Sequence, residues 1–338
     1  MQDNLIFSLS FILASFLLVL TLTGWVRGVL LKRAVLDIPN DRSSHKSPVP
    51  RGGGWALLAV LFPCLVGAAL FFDADGRHVG LIVAVFLLVV LSGIDDRRHV
   101  SPAMRLCLHV FAAYLGSLSF APQEMVLGGL VPFWLDRALM IMGWAWFINL
   151  YNFMDGIDGI TGVETVSIAT GVCIVLSAAG IVDPFVGFLT LILTGACLGF
   201  LAHNWHPAKI FLGDVGSVPL GYLIGFCLLS LAVKGHLIAA LILPLYYLAD
   251  SGITIIRRAL RGEKIWQAHR EHFYQKAALG VGSHGRVVVL IIIADIGLIA
   301  AATLSISMPV AGLCAGVVIV AVLLGKMHKT ATQPQVKS

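Results

Sequence analysis

Short polar segments between long apolar runs carry five aspartates and two histidines: Asp95, Asp96, Asp155, Asp158, Asp214, His269 and His272. Adjacent carboxylates backed by cations, as in Ser92-Gly-Ile-Asp95-Asp96-Arg97-Arg98, suit a Mg²⁺ site or proton transfer; a solvated helix cap is the plainer reading. An aspartate at a helix C-terminus opposes the dipole, which weakens the plainer reading. Asp214 stands between Gly213 and Gly216 where the next apolar run begins, so it can approach a metal with little hindrance, although an N-cap aspartate has the same pattern. Asn149, Asn152, Asp155 and Asp158 recur every third residue and would share one face if the segment is helical. That loop lacks Lys and Arg, which leaves a cation or a sugar-nucleotide hydroxyl as partner; a turn rich in Asn, Asp and Gly is the alternative. His269-Arg270-Glu271-His272 is a poor zinc signature, and imidazole with guanidinium suits a diphosphate better.

The elements that must position these groups are membrane spans. The chain is 58% hydrophobic and 12% charged with mean hydropathy +0.93, which excludes an ordinary soluble domain. Apolar runs long enough to cross hydrocarbon predict an all-α, polytopic transmembrane helical bundle of about eleven spans. They cover 5–25, 55–72, 80–94, 104–120, 138–150, 163–182, 185–202, 215–233, 237–256, 287–305 and 310–325. Lys and Arg concentrate in the loops after the first and ninth spans and in the C-terminal tail, which places the N-terminus outside and the C-terminus in the cytoplasm. Every chemistry-bearing loop then faces the cytoplasm. We expect one catalytic domain over residues 1–325, with no second domain, and a disordered cytoplasmic tail over 326–338. The first apolar stretch lacks a basic leader and a small-residue cleavage site, so it reads as a retained span.

The net charge of +5 follows from the cytoplasmic clusters and requires no nucleic acid; anionic headgroups and a phosphorylated substrate are nearer partners. In the first cytoplasmic loop, prolines and glycines forbid a long helix between Asp37 and Gly54, leaving Arg42, Lys46 and Arg51 to face water or an anion. The Gly52-Gly53-Gly54 run directly before a helix start suggests backbone N–H groups free to bind that anion. The six cysteines lie within apolar spans without CxxC spacing and read as small core residues.

Together these motifs resemble the polyprenyl-phosphate N-acetylhexosamine-1-phosphate transferases, a family that includes phospho-N-acetylmuramoyl-pentapeptide transferase and the initiators of lipopolysaccharide O-antigen synthesis. The likeness rests on Asp95-Asp96, the NxxNxxDGxDG run Asn149 to Gly159, the GDxGS segment Gly213 to Ser217 with Asn204 ten residues before Asp214, and the His-containing last cytoplasmic loop. The resemblance implies transfer of a sugar-1-phosphate from a UDP-N-acetylhexosamine to undecaprenyl phosphate, with release of UMP, at the cytoplasmic face of a bacterial inner membrane. It implies Mg²⁺, with Mn²⁺ as an alternative, held by Asp214 with Asp95 and Asp96 beside it as catalytic groups. It implies that Asn149, Asn152, Asp155, Asp158 and Asn204 line the nucleotide pocket, that Lys46 faces phosphate, and that His269, Arg270 and His272 hold the donor. It also admits a homodimer. Many relatives carry HxHH or HHH where this chain has His269-Arg-Glu-His272, which points toward the O-antigen branch (UDP-GlcNAc, UDP-FucNAc or UDP-QuiNAc) over the MurNAc-pentapeptide branch.

Two anions must meet in such a transfer, so a divalent cation with Lys or Arg is needed to offset their repulsion. A covalent aspartyl-phosphate intermediate competes with direct attack by the lipid phosphate. An ion-coupled transporter is the rival class; carriers place such carboxylates near the midplane, often within repeats, whereas here they sit at span ends and no repeat is visible. The CDP-alcohol phosphotransferases would need a DGxxAR segment, which Asp155 to Thr161 lacks.

Overall fold

The computed structural model describes residues 2–39, 47–73, 75–96, 100–264 and 269–331. Its helices are α1 (Gln2–Lys32), α2 (Gly54–Phe72), α3 (Val79–Asp95), α4 (Pro102–Ser117), α5 (Phe133–Phe153), α6 (Ile160–Ala178), α7 (Pro184–Asn204) and α8 (Asp214–Leu231), followed by α9 (Leu237–Ile242), α10 (Leu245–Leu260), α11 (Phe273–Val281), α12 (His284–Leu304) and α13 (Pro309–Ala331). A two-residue antiparallel ladder joins β1 (Leu36–Asp37) to β2 (Val49–Pro50).

Each of the eleven expected spans overlaps a helix, and seven helical stretches are long and apolar enough to cross a membrane: Ser8–Lys32, Gly54–Phe72, Ile160–Ala178, Pro184–Asn204, Asp214–Ile242, His284–Leu304 and Pro309–Ala331. Val79–Asp95 is apolar but shorter. The remaining helices carry polar joints that lower their hydropathy. On α5, Asp136 accepts from the N–H groups of Val126 (3.0 Å) and Leu127 (2.8 Å), while Arg137 donates to the carbonyls of Ser117 (2.8 Å) and Ala121 (3.1 Å). The stretch Asp214–Ile242 is two helices, because a π-helical turn over Ala232–His236 places Gly235 at φ +89°. The expected ninth span is likewise broken, between α9 and α10 at Pro244. Helix α13 continues to Ala331, through the first residues of the expected tail; residues 332–338 lie outside the described ones.

Helix α8 forms the centre. Nearly all of its residues are buried, against α5, α3, α6 and α2. Glycines make the close approaches possible: a Cβ at Gly225 would strike the Trp144 indole and one at Gly221 the Tyr151 ring. Trp144 stacks on Tyr222 at 4.6 Å, and its Nε1 donates to the Tyr222 carbonyl at 3.0 Å, so the buried indole N–H is satisfied. Helix α1 lies along α7, where Gly195 and Gly199 meet the α1 backbone at Ile12 and Phe16, a small-residue contact typical of helices packed without a hydrophobic drive between them.

Most polar groups gather where α3, α5, α7 and α10 end and α2, α6, α8 and α12 begin. Not all do. Glu164 on α6 and Asp295 on α12 are buried within the bundle, away from the expected loops.

Candidate active site

Four aspartates and two arginines converge at that end. Asp95 closes α3 and accepts from the N–H of Val100 (2.8 Å) and from Arg105 Nη1 (3.1 Å). Asp96 accepts from the N–H groups of Asp214 and Val215, both at 3.2 Å, and so caps α8. Arg51 Nη2 bridges Asp96 (3.0 Å) and Asp214 (2.8 Å), and Arg105 lies 3.9 Å from Asp214. Asp155 faces the same cluster and accepts from Thr161 Oγ1 at 2.6 Å. Burial pushes Asp155 up to about 6; the Thr161 hydroxyl and Arg51 oppose this, while Asp214 and Asp96 add to it. Among the described residues, four carboxylates thus face two guanidinium groups.

The oxygen donors of Asp214, Asp95 and Asp96 suit a hard divalent cation, and the excess of negative over positive charge is what such an ion would offset. These residues fit Mg²⁺.

Glycines hold the walls together. The N–H groups of Gly52 and Gly53 donate to the Phe211 carbonyl (3.1 and 2.8 Å) and that of Gly54 to Leu212 (2.9 Å), so the triplet is consumed by the loop before α8 and does not offer free donors to an anion. A Cβ at Gly54 would strike the Gly216 backbone, which explains the glycines on both sides. Arg51, beside the triplet, supplies the positive charge instead.

The three-residue stripe is not one helical face. Helix α5 ends at Phe153, leaving Asn149 and Asn152 on the helix and Asp155 and Asp158 on a loop that runs to Gly159 at φ +80°. Asn149 Nδ2 donates to the Ala145 carbonyl at 2.8 Å, and Asn152 Oδ1 accepts from Ser217 Oγ at 2.5 Å. Asp158 turns toward His206 and His284, whose Nδ1 atoms lie 2.6 and 3.2 Å from Oδ2. Burial acts upward on Asp158, but these two imidazole contacts prevail and hold it below the usual carboxylate range. Asn204 pins two loops, accepting from the Gly159 N–H (2.9 Å) and donating to the Ile210 carbonyl (2.9 Å).

The last polar loop packs onto this centre through α11: a Cβ at Gly156 would collide with the Tyr274 hydroxyl. The His269 and His272 rings lie 4.8 Å apart. His272 is buried, with Nδ1 3.1 Å from Asp250 Oδ1. Asp250 also accepts from the N–H groups of Phe273 (3.0 Å) and Tyr274 (3.2 Å), so one buried carboxylate both caps α11 and orients the histidine. Burial, with His272 and Arg258 nearby, pulls His269 down to about 4, which leaves it neutral. Arg270 lies between the two histidines in the chain and is partly buried. Lys46 lies outside the described residues.

The model of glycosyl transferase family 4 matches residues 78–232, which hold the four carboxylates. A probable undecaprenyl-phosphate N-acetylglucosaminyl 1-phosphate transferase of Bacillus subtilis is 27% identical, covering 86% of this chain and 83% of the relative.

Over residues 78–232 the chain is similar to glycosyl transferase family 4.

Decaprenyl-phosphate N-acetylglucosaminephosphotransferase of Mycolicibacterium smegmatis is 28% identical over 82% of this chain and 77% of its own length. Phospho-N-acetylmuramoyl-pentapeptide-transferase of Synechococcus elongatus is 29% identical over 70% of this chain and 71% of its own. The chain is therefore a multi-pass membrane protein similar to the polyprenyl-phosphate N-acetylhexosamine-1-phosphate transferases, in line with its motifs.

Sequence reasoning assigned no site role to Arg105, Asp250, His206 or His284, and it did not single out Arg51. Arg51 was one cation among several in a basic loop, and nothing in its spacing singled it out. Arg105 and Asp250 each fell inside or at the edge of an expected span, where a lone charge is itself a signal. His206 was visible in the loop before Asp214, but its partners are 48 and 78 positions away in sequence.

Proposed function

We propose that this protein moves a sugar-1-phosphate from a UDP-N-acetylhexosamine to undecaprenyl phosphate, releasing UMP, at the cytoplasmic face of a bacterial inner membrane. The observation that carries this reading is the convergence of Asp95, Asp96, Asp155 and Asp214 with Arg51 and Arg105 at one end of the bundle. UDP-GlcNAc is the first donor to expect, in keeping with the Bacillus and Mycolicibacterium relatives, with UDP-FucNAc and UDP-QuiNAc next; the product would start O-antigen or a related glycan. The same reading has eleven membrane crossings with the C-terminus inside, since the basic loops flank the end that holds the carboxylates.

The acceptor phosphate has a second pKa of about 6 and is mostly a dianion at pH 7. One of its oxygens forms the new bond to the sugar-bearing phosphorus, the bridging P–O bond breaks, and UMP leaves. Arg51 and Arg105 would face the phosphates, and Asp155 with Asn152 would border the nucleotide. Mg²⁺, held by Asp214, Asp95 and Asp96, would supply charge stabilisation for the transferring phosphoryl group.

The test is UMP release by purified protein with undecaprenyl phosphate and Mg²⁺, comparing UDP-GlcNAc, UDP-FucNAc, UDP-QuiNAc and UDP-MurNAc-pentapeptide, each with and without EDTA. Metal-dependent release with one donor supports the reading. Release with the pentapeptide donor alone would move the chain to the branch of the Synechococcus relative. No release from folded protein, with substrate flux in sealed vesicles that Asp214→Asn abolishes, would replace it with transport.

A further inference from the structure

We propose that Asp158, His206 and His284 form a binding site for a borderline transition-metal ion such as Zn²⁺, separate from the carboxylate cluster around Asp214. Three elements distant in sequence bring one ligand atom each: Asp158 Oδ2 from the loop after α5, His206 Nδ1 from the segment after α7, and His284 Nδ1 from the first residue of α12. Oδ2 lies 2.6 Å from His206 Nδ1 and 3.2 Å from His284 Nδ1, and all three atoms fall within 4.8 Å of one another. Ligands about 2.1 Å from a tetrahedral zinc ion stand roughly 3.4 Å apart, so small side-chain rotations reach that geometry.

His284 Nδ1 lies between the Asp158 N–H at 3.3 Å and the Asp158 Oδ2 at 3.2 Å, so one residue fixes the ring from two sides and holds its nitrogen beside the carboxylate. The Ala208 N–H donates to Oδ2 at 3.2 Å and gives the carboxylate an outer partner. Side chains of Asp158 and His284 are only 7% and 10% exposed, while His206 is 31% exposed and leaves an open side for a solvent ligand and for ion entry. Two imidazole nitrogens beside one carboxylate select Zn²⁺ over Mg²⁺.

The ion would tether the loop bearing Asp155 to α12 and to the segment before α8. Its binding does not depend on the transferase reading, because the readout is metal uptake. Metal-stripped, tag-free full-length protein in detergent is titrated with ZnCl₂ in excess Mg²⁺, and bound zinc is counted by mass spectrometry after gel filtration. Cobalt substitution reports the ligand field by visible absorption. One zinc per chain is expected, retained by Asp214→Asn and His269→Ala. His206→Ala and His284→Ala should each weaken it by more than about a hundredfold, beyond what losing an outer partner costs. Absence of uptake by the wild type at micromolar zinc would overturn the proposal, as would full uptake by His206→Ala. The wild type and His206→Ala, a partly exposed position, decide the matter even if His284→Ala does not fold.

Discussion

The carboxylate of Asp96 accepts from the backbone N–H groups of Asp214 and Val215, both at 3.2 Å, so one member of the adjacent aspartate pair builds the helix end that presents the other key carboxylate. Asp95 points elsewhere, to Arg105 and the Val100 N–H. The two neighbours therefore have separable work: Asp96 shapes the start of α8, and Asp95 fixes an arginine. Asp214→Asn should lower turnover at least about a hundredfold with the fold intact, as removal of a charge-stabilising group does. Asp96→Ala should in addition lose about 1 kcal/mol of stability through the lost cap, read as a lower thermal midpoint in detergent. Near wild-type turnover in Asp214→Asn would remove that residue from the metal role.

Arg51 joins Asp96 to Asp214 from a loop more than forty residues before the first of them. Arg51→Lys keeps the charge but replaces the planar guanidinium, whose Nη2 reaches both carboxylates, with a shorter and more strongly hydrated ammonium, so turnover should fall about tenfold or more. Arg51→Ala should fall further. Equal rates for the lysine variant and wild type would show that charge alone suffices there.

Asp155 is held at about 6 by burial, well above its unfolded value. An acid whose pKa is raised on folding binds more protons in the folded state between roughly pH 4 and 6. Its stabilising contribution is therefore full below about pH 4 and lost as pH rises through the folded value. Activity that needs the carboxylate should run the opposite way, rising on an acid limb centred near 6. Added Mg²⁺ favours the charged form and should shift that limb to lower pH. A limb that persists unchanged in Asp155→Asn belongs to another group.

His272 depends on Asp250, which is fully buried and has three hydrogen-bond contacts with the end of the last polar loop and the start of α11. His272→Ala should raise the KM for the UDP-sugar more than that for the lipid phosphate. Asp250→Asn should reproduce this bias in milder form, because the amide oxygen can still accept while the charge is gone. A change confined to the lipid KM would move this loop to the acceptor side.

Gly156 has no room for a side chain beneath the Tyr274 hydroxyl. Gly156→Ala should cost about 1–3 kcal/mol, the usual range for overpacking, and should displace the Asp155 loop from α11. Tyr274→Phe in the same chain should restore part of the loss. A double variant no better than Gly156→Ala would place the strain elsewhere.

The aspartate pair, the Asn149 to Gly159 run and the Gly213 to Ser217 segment were legible because their residue types have few structural uses at the ends of apolar runs. Their convergence followed from placing every such end on one side. What could not be read was which side chain meets which. The glycine triplet 52–54 looked like an anion cradle, yet its N–H groups serve Phe211 and Leu212, since a partner about 160 residues away leaves no local trace. The spacing from Asn149 to Asp158 would give one face if the segment were helical throughout, but α5 ends at Phe153 and the loop up to Gly159 sends Asp158 toward His206 and His284. Glu164 and Asp295 were overlooked inside spans that otherwise satisfied the hydropathy pattern.

Helix α8 shows almost none of its length to the surroundings, whereas α1 exposes Ile6, Leu9, Leu13, Leu17 and Leu18, and α13 exposes Val310, Val317, Val318 and Val322. Lipid therefore wets the outer helices and scarcely meets the one that begins with Asp214. A thicker, thinner or stiffer bilayer would be accommodated by tilt at the periphery, as mismatched helices generally do. The carboxylates would keep their spacing through such changes, much as an instrument on gimbals stays level while its housing rolls.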